Sequence, residues 1–463
     1  MTNPSPTPLA LTLARGSRDT LPVQLARQIR DHVSHGLLDP GQRLPSSRSL
    51  AADLGVARAV VEAAFDQLVA EGWLVTRTGA GTFVGDVGGP KARARPGASS
   101  GSRVDRSADR VSFDTGTPYV DPRLDGGWRR AWREVAHATM PRGYPDPAGI
   151  AELREHLAAY VARRRGVACT ADEVLVTSGT THGLALVLEL LGRGTVAIED
   201  PGYRAAVEVA RSARFDVVDI PVDGEGICVA ALAACPGGVR AVYVTPAHQH
   251  PTGVTMSASR RVALVAEAER RRALIIEDDY DSEFRYDVAP LPALASLSPD
   301  VIYLGTAAKA VHPALRIGWL VGSRDLVAEL ADRRARRHDH SSWPVQRAFL
   351  AMLRDGHVDR LIRSARRVYA ERSELVRERL APYAPVHGAG AGMYVTVPLP
   401  GSLARSVAAA ARGADLDVPL LSAYGRTDRR DGIVLGFGGV TQQELDRCLD
   451  VVTAVLATGR GVA

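Results

Sequence analysis

Between residues 18 and 86, apolar side chains recur at the spacing of helices buried on one side. Val23, Leu25, Ile29 and Val33 predict a first helix that ends near His35 and Gly36, where glycine breaks the pattern. Pro40 and Gly41 predict a turn, and residues 46–75 then hold two helical patterns separated at Leu54-Gly55-Val56. In the second of these, Val61, Ala64, Phe65 and Leu68 fall at i, i+3, i+4 and i+7, leaving one apolar stripe and one free face. Two short helices with a tight break are the sequence form of a helix-turn-helix; residues 73–84 add two short strands around Thr78–Gly81, a hairpin wing.

The pattern then changes twice. Residues 87–110 are rich in Gly, Pro, Ser and Arg and nearly free of large apolar side chains, so they bury too little to fold and read as a flexible linker. From Val111 to residue 460, short apolar runs at Val174–Val176, Val196–Ile198, Val242–Val244, Leu274–Ile276 and Val301–Leu304 alternate with longer helical patterns. That alternation predicts an α/β domain built on a mostly parallel sheet.

Composition narrows the classes. A chain of 463 residues exceeds one ordinary core, in keeping with a small unit followed by a large one. No uninterrupted apolar stretch reaches the ~18 residues of a membrane span, and the first residues do not pair a basic start with an apolar run, so a cytoplasmic protein with no membrane partner is expected. Cys169, Cys228, Cys235 and Cys448 lack paired spacing, which argues against a metal site or a disulfide framework. The net charge of +5 is uneven: residues 1–110 hold 14 Arg and Lys against 10 Asp and Glu, while the rest hold 43 against 42. A basic excess at the helix-turn-helix end suits a polyanion.

Only two of the 57 cations are lysines, Lys91 in the linker and Lys309 in the small, apolar context LGTAAKAVHPALRIG. Lys91 reads as a solvated charge. A chain that uses arginine almost everywhere has kept lysine where its amine, unlike a guanidinium, can form a Schiff base with an aldehyde.

In parallel sheets ligands collect beyond the carboxyl ends of strands, and the residues there are chemically coherent. After Val174–Val176 comes the small-residue turn Ser178-Gly179-Thr180 and then a helix, whose free N–H groups can hold a phosphate, although such a turn alone is ordinary. After Leu274–Ile276 comes Glu277-Asp278-Asp279-Tyr280. One carboxylate there can keep a pyridine nitrogen protonated, and Asp278 is the choice because Asp279 should point to the other face. After Val301–Leu304 come Thr306, Lys309 and Arg316, an amine with a hydroxyl and a guanidinium suited to a phosphate.

The order SGT, PGY, HQHPTG, EDDYDSEF, GTAAK and ALRIG resembles the fold-type-I aminotransferase domain of MocR-type regulators, the GntR branch in which a winged helix-turn-helix is fused to that domain. The front half, LPVQLARQIRDHVSHGLLDPGQRLPSSRSLAADLGV, resembles the same family, and together the likeness runs from about residue 20 to 455. The resemblance implies pyridoxal 5′-phosphate (PLP) as cofactor, with Lys309 as Schiff-base lysine and Asp278 facing the ring nitrogen. Tyr280 would bond the ring hydroxyl, Tyr203 would stack on the ring, and Gly179, Thr180, Thr306 and Arg316 would hold the phosphate. It also implies a homodimer and double-stranded DNA as partner. Arg58 at the start of the recognition helix would read guanine; Arg43, Ser46, Ser47 and Arg48 would contact phosphates, with Arg77, Thr78 and Gly81 on the wing.

Three departures shape the expected activity. His250 stands where aminotransferases carry an asparagine, and its role is open. Val434 occupies the place of the arginine that clamps a substrate carboxylate, and Ala205 that of a second arginine found in an amino-acid-sensing relative. Arg204 or Arg426 remain as substitutes from another direction. The sequence therefore favours a transcription factor that senses PLP itself, like the PdxR-like, vitamin B6-responsive members of the branch, over catalysis. The alternatives are a regulator sensing an amino acid or amine through an external aldimine, and an active aminotransferase.

Overall fold

The computed structural model describes residues 11–16, 19–77, 80–85, 110–286 and 291–459. The predicted linker, but for Arg110, lies outside the described residues, as do Lys91 and Thr78. Two compact units emerge, one within residues 1–105 and one within 106–463. No helix among the described residues is long and apolar enough to cross a membrane.

In the first unit, α1 (Leu21–Ser34), α2 (Ser47–Leu54) and α3 (Arg58–Ala70) precede an antiparallel hairpin of β1 (Leu74–Arg77) and β2 (Gly81–Val84). The side chain of Ser46 caps α2 by accepting from the backbone N–H of Ser49 at 3.1 Å, and Gly55 ends that helix in the left-handed region at φ +62°. Val61, Ala64, Phe65 and Leu68 are buried against Leu25, Ile29, Leu50 and Leu74. One expectation is corrected: Val23 is 40% exposed, and Ala26 instead joins Leu25, Ile29 and Val33 in the core.

The second unit carries an eight-stranded sheet in the order β4-β11-β10-β9-β8-β5-β6-β7. Its strands are β4 (Val174–Thr177), β5 (Thr195–Asp200), β6 (Asp216–Asp223), β7 (Gly226–Ile227), β8 (Val239–Val244), β9 (Leu274–Asp279), β10 (Val301–Thr306) and β11 (Gly318–Val321). Strands β10, β9, β8, β5 and β6 run parallel, while β11 is antiparallel to both β10 and β4. Alternate side chains enter opposite cores, as a pleated strand requires. Tyr243, Ile276 and Ile302 pack with Leu184, Val187 and Leu188 of the helix Thr180–Leu191, and Val242, Ile275 and Val301 pack with Leu264 and Ala268 of the helix Ala258–Arg271.

A smaller layer follows in the chain, with the 24-residue helix His357–Leu380 and an antiparallel pair of β12 (Tyr394–Pro398) and β14 (Gly432–Gly436). The first described segment of this unit returns to that layer. There β3 (Val111–Ser112) pairs in parallel with β13 (Leu416–Asp417), and the backbone N–H of Gly436 donates to Phe113 O at 2.8 Å. The strap from 113 to 117 lies on Gly436 and Gly438, where a Cβ would come within 1.8 Å of Asp114 O and 2.4 Å of Thr117 O.

Candidate functional site

The carboxyl ends of the parallel strands converge on one cavity of about 180 Å³. The turn after β4 supplies Gly179 and Thr180, the segment after β5 Tyr203, that after β8 His250, the end of β9 Asp278 and Tyr280, and β10 with its continuation Thr306, Lys309 and Arg316. All nine residues singled out in the sequence thus line a single space. Thr115, Gly116, Thr181, Thr245, Ala308 and Pro313 complete its wall.

Lys309 is mostly buried, and desolvation lowers its amine from the ordinary lysine range against the pull of Asp281, Asp114 and Asp278. A lowered ammonium offers more free amine, the form that attacks an aldehyde. Its Nζ donates to the carbonyl of Gly116. Across the cavity, burial pushes the Asp278 carboxyl up to about 7, while the hydroxyls of Tyr243 and Thr180 and the Lys309 charge pull it down. Tyr243 donates to Oδ2, and Oδ1 is buried with no hydrogen-bond partner. Asp279 points the other way, where Arg165 lies at 2.5 Å and the Tyr303 hydroxyl donates at 2.7 Å.

At the other end, Gly179 precedes the helix Thr180–Leu191 with φ +107°, and a Cβ there would sit 3.2 Å from Nη2 of Arg316. Glycine is needed both for the backbone angle and for the guanidinium beside it. A helix N-terminus next to an arginine is a cradle for a dianion. The Thr306 hydroxyl lies in the same wall, accepting from the Ala308 N–H at 3.1 Å. An orphaned carboxylate oxygen at one end, an anion cradle at the other and a desolvated amine between them fit a pyridine aldehyde with a phosphate arm.

His250 is held edge-on by four tyrosine rings, Tyr203, Tyr280, Tyr394 and Tyr424, at centroid distances of 5.7, 5.9, 5.8 and 5.3 Å. Burial, with Lys309 and His248 nearby, depresses its imidazole to about 3, so it is neutral. Neither proposed substitute for a carboxylate clamp reaches the cavity. Arg426 is bound to Asp219 at 2.6 Å and to Glu199 O at 3.1 Å, and Arg204 lines a separate pocket beyond Tyr424. Val434 is fully buried in β14.

Sequence reading missed the groups that hold the site from behind. Tyr243, hidden in an apolar run, anchors Asp278. Glu199, raised by burial to about 7, accepts from the Thr245 hydroxyl at 2.6 Å and from Gln249 at 3.2 Å, fixing the loop that carries His250. The fourth acid of EDDYDSEF, Asp281, and the first histidine of HQHPTG, His248, stood within the motifs without an assigned role.

In the first unit Arg43, Ser46, Arg48, Arg58, Arg77 and Gly81 are exposed, and Ser47 is half-buried. Arg58 pairs with Glu62 one turn on at 2.7 Å and donates to the Ser47 hydroxyl at 3.3 Å. Arg43 reaches the wing, its Nε 3.2 Å from where a Cβ on Gly81 would be, and Arg77 lies over the Phe83 ring at 4.7 Å. No side chain caps α3 at Ala57.

Residues 113–422 match the family model for aminotransferase class I and II, and residues 21–84 match that for bacterial regulatory proteins of the gntR family. The chain is 34% identical to the HTH-type pyridoxine biosynthesis transcriptional regulator PdxR of Corynebacterium glutamicum, over 95% of this chain and 97% of that one. It is 31% identical to the probable rhizopine catabolism regulatory protein MocR of Rhizobium meliloti, over 93% and 92%. Among solved structures, kynurenine aminotransferase of Pyrococcus horikoshii superposes with a TM-score of 0.68 at 24% identity, over 76% of this chain and 91% of that one, a likeness of fold.

Proposed function

The chain belongs to the MocR-type regulators, a gntR helix-turn-helix joined to an aminotransferase class I and II domain, and from that premise we propose that its large domain holds PLP on Lys309 and senses it. It is a transcriptional regulator with an aminotransferase-like domain; the effector and the regulated genes are the proposal. When bound, PLP supplies an aldehyde that condenses with an amine and a ring that withdraws electrons.

The observation that carries the reading is the lining of the cavity. Lys309 supplies the amine, Asp278 a carboxylate for the ring nitrogen and Gly179, Thr180, Thr306 and Arg316 a seat for the phosphate, with Tyr203, Tyr280 and His250 around the ring. Arg316 is the one arginine among the described lining residues, and it stands at the phosphate end beside Gly179. An amino-acid substrate would bring a carboxylate with no second guanidinium to orient it, and orientation supplies much of the rate in such reactions. A site equipped for the cofactor and not for a substrate carboxylate suits sensing of the cofactor. The pyridoxine-biosynthesis regulator among its relatives is in keeping with control of vitamin B6 genes.

On this reading the first unit binds double-stranded DNA through Arg58 in the major groove, with Arg43, Ser46, Ser47, Arg48, Arg77 and Gly81 along the backbone. The protein would act as a homodimer on paired half-sites. PLP shifts DNA binding only to the extent that two arrangements of the dimer bind it unequally.

The test is a titration of the DNA upstream of the protein's own gene, with and without PLP, alongside a visible absorbance spectrum. A Schiff-base band together with PLP-dependent binding supports the proposal. A band with DNA binding indifferent to PLP redirects the search to an amino compound or to catalysis, and no band overturns the cofactor assignment.

A further inference from the structure

The turn that opens the helix Thr180–Leu191 is tied off from behind by side chains that the functional reading does not use. The Ser178 N–H, directly ahead of Gly179, donates to Nδ1 of His182 at 3.0 Å, and Nε2 of that imidazole stands 3.1 Å from Oδ2 of Asp339. An amide N–H can only donate, so Nδ1 carries no proton; the hydrogen of the neutral ring is on Nε2 and is given to Asp339. Burial lowers the imidazole from its ordinary range, in keeping with a neutral ring. Asp339 is itself fixed, its backbone N–H donating to Arg334 O at 3.0 Å and its carbonyl accepting from Arg334 Nε at 2.8 Å. Arg334, with its side chain 1% exposed, ends on the carbonyl of Val176 at 2.7 Å, which also accepts from Ser341 Oγ at 3.0 Å. Thr177 Oγ1 donates to Gly179 O at 3.0 Å. Val176 O, Ser178 N and Gly179 O are thus each held by a side chain outside the cavity lining.

We propose that His182, braced by Asp339, is a positioning residue for phosphate recognition: by taking the Ser178 N–H it sets the peptide ahead of Gly179 and so aims the Gly179-Thr180 turn at a phosphate beside Arg316. The proposal rests on the PLP reading of the same cavity. An N–H left unpaired away from water is costly, and the chain relieves the cost by rotating the peptide toward another acceptor. Gly179, at φ +107° and without a Cβ, is where such a rotation meets least resistance, so the turn needs a hydrogen bond from outside to keep one conformation. The aldehyde end of the site is built independently, from Asp278 at the end of β9 and Lys309 beyond β10. Loss of the His182 contact therefore acts on the phosphate and spares the ring and the amine.

The experiment measures by absorbance the affinity of the full-length, PLP-free protein for PLP and for pyridoxal, which lacks the phosphate. His182→Leu, similar in bulk but without an acceptor, loses PLP affinity at least about fivefold, the lower end of what an unpaired buried N–H costs, and pyridoxal affinity less than about twofold. His182→Asn, whose amide oxygen lies as many bonds from Cα as Nδ1 does, recovers most of the PLP affinity. Should His182→Leu fail to fold, Asp339→Ala, which leaves every residue of the turn in place, shows the phosphate-specific fall in its stead. Equal losses for the two compounds, an asparagine no better than leucine, or a PLP affinity that holds or rises in His182→Leu because the phosphate itself takes the Ser178 N–H, overturns the proposal. Absence of a Schiff-base band in the unsubstituted protein overturns the cofactor reading instead, and this proposal with it.

Discussion

Lys309 Nζ donates a hydrogen bond to the carbonyl oxygen of Gly116, a residue 193 positions earlier in the chain. Gly116 belongs to the strap that begins at the end of the predicted linker, and Asp114 folds it by accepting from the backbone N–H groups of Gly116 and Thr117. An ammonium has three donors and a protonated Schiff base has one, so loading Lys309 removes most of what holds that carbonyl. Lys309→Ala is expected to abolish both the visible band and the PLP response of DNA binding while leaving the fold intact. Hydrogen exchange at Gly116 and Thr117 should change on adding PLP to the unsubstituted protein and stay constant in Lys309→Ala. A band that persists in the variant would refute the lysine assignment.

Asp278 sets affinity against stability. Its folded value near 7, against an ordinary 3.8, means that the native state binds the proton more tightly, so this group costs stability progressively as pH rises from about 4 to about 7 and by a constant amount above. Asp278→Asn imitates the protonated form. The ligand-free variant is therefore expected to be more stable than the unsubstituted protein, with a gain that grows by on the order of 1 kcal/mol per pH unit across that window and then levels. The same change should weaken PLP binding at least tenfold, because the buried Oδ1 no longer presents a charge. Thermal melts at pH 5 and pH 8 beside absorbance titrations test both halves; a gain in stability larger at the lower pH would contradict the assignment.

Gly179 offers a cleaner probe of the proposed phosphate seat. Gly179→Ala places a Cβ 3.2 Å from the Arg316 guanidinium on a backbone with φ +107°, so it displaces the arginine and strains the turn by about 1–3 kcal/mol. PLP affinity should fall while the affinity for pyridoxal, which lacks the phosphate, falls much less. Equal losses for the two compounds would mean that the turn only supports the fold.

What was legible follows from what leaves a periodic trace. The stripe at Val61, Ala64, Phe65 and Leu68 was readable because burial on one face of α3 imposes it, whereas Val23 misled because it sits in the first turn of α1 and alanine at position 26 carries little apolar signal. Asp278, Lys309 and Gly179 could be found because a parallel sheet brings strand ends together, so sequence neighbours of apolar runs become neighbours in space. Thr115 and Gly116 could not. They reach the cavity along a groove over Gly436 and Gly438, and a groove made by missing side chains prints no pattern. Tyr243 was concealed for the opposite reason, as one more apolar letter in a buried strand.

On the proposed reading, the helix-turn-helix unit separates base reading from phosphate contact. Arg58 is 55% exposed and tied to Glu62 by an ion pair of the kind worth about 0.3–0.5 kcal/mol, little enough for a guanine edge to displace. Arg58→Ala is expected to lower affinity for the cognate site by about 1–3 kcal/mol while hardly touching affinity for random DNA. Glu62→Ala, which frees Arg58 and removes a carboxylate facing phosphates, should leave the fold intact and raise affinity modestly. Arg43→Ala and Arg77→Ala should instead weaken cognate and random DNA alike, each flattening the slope of log K against log salt by about 1. Fluorescence anisotropy across a salt series on both DNAs distinguishes the two roles. If Arg58→Ala lowers both affinities equally and flattens the salt slope, the arginine is a phosphate contact, and the bases are read by other residues of α3.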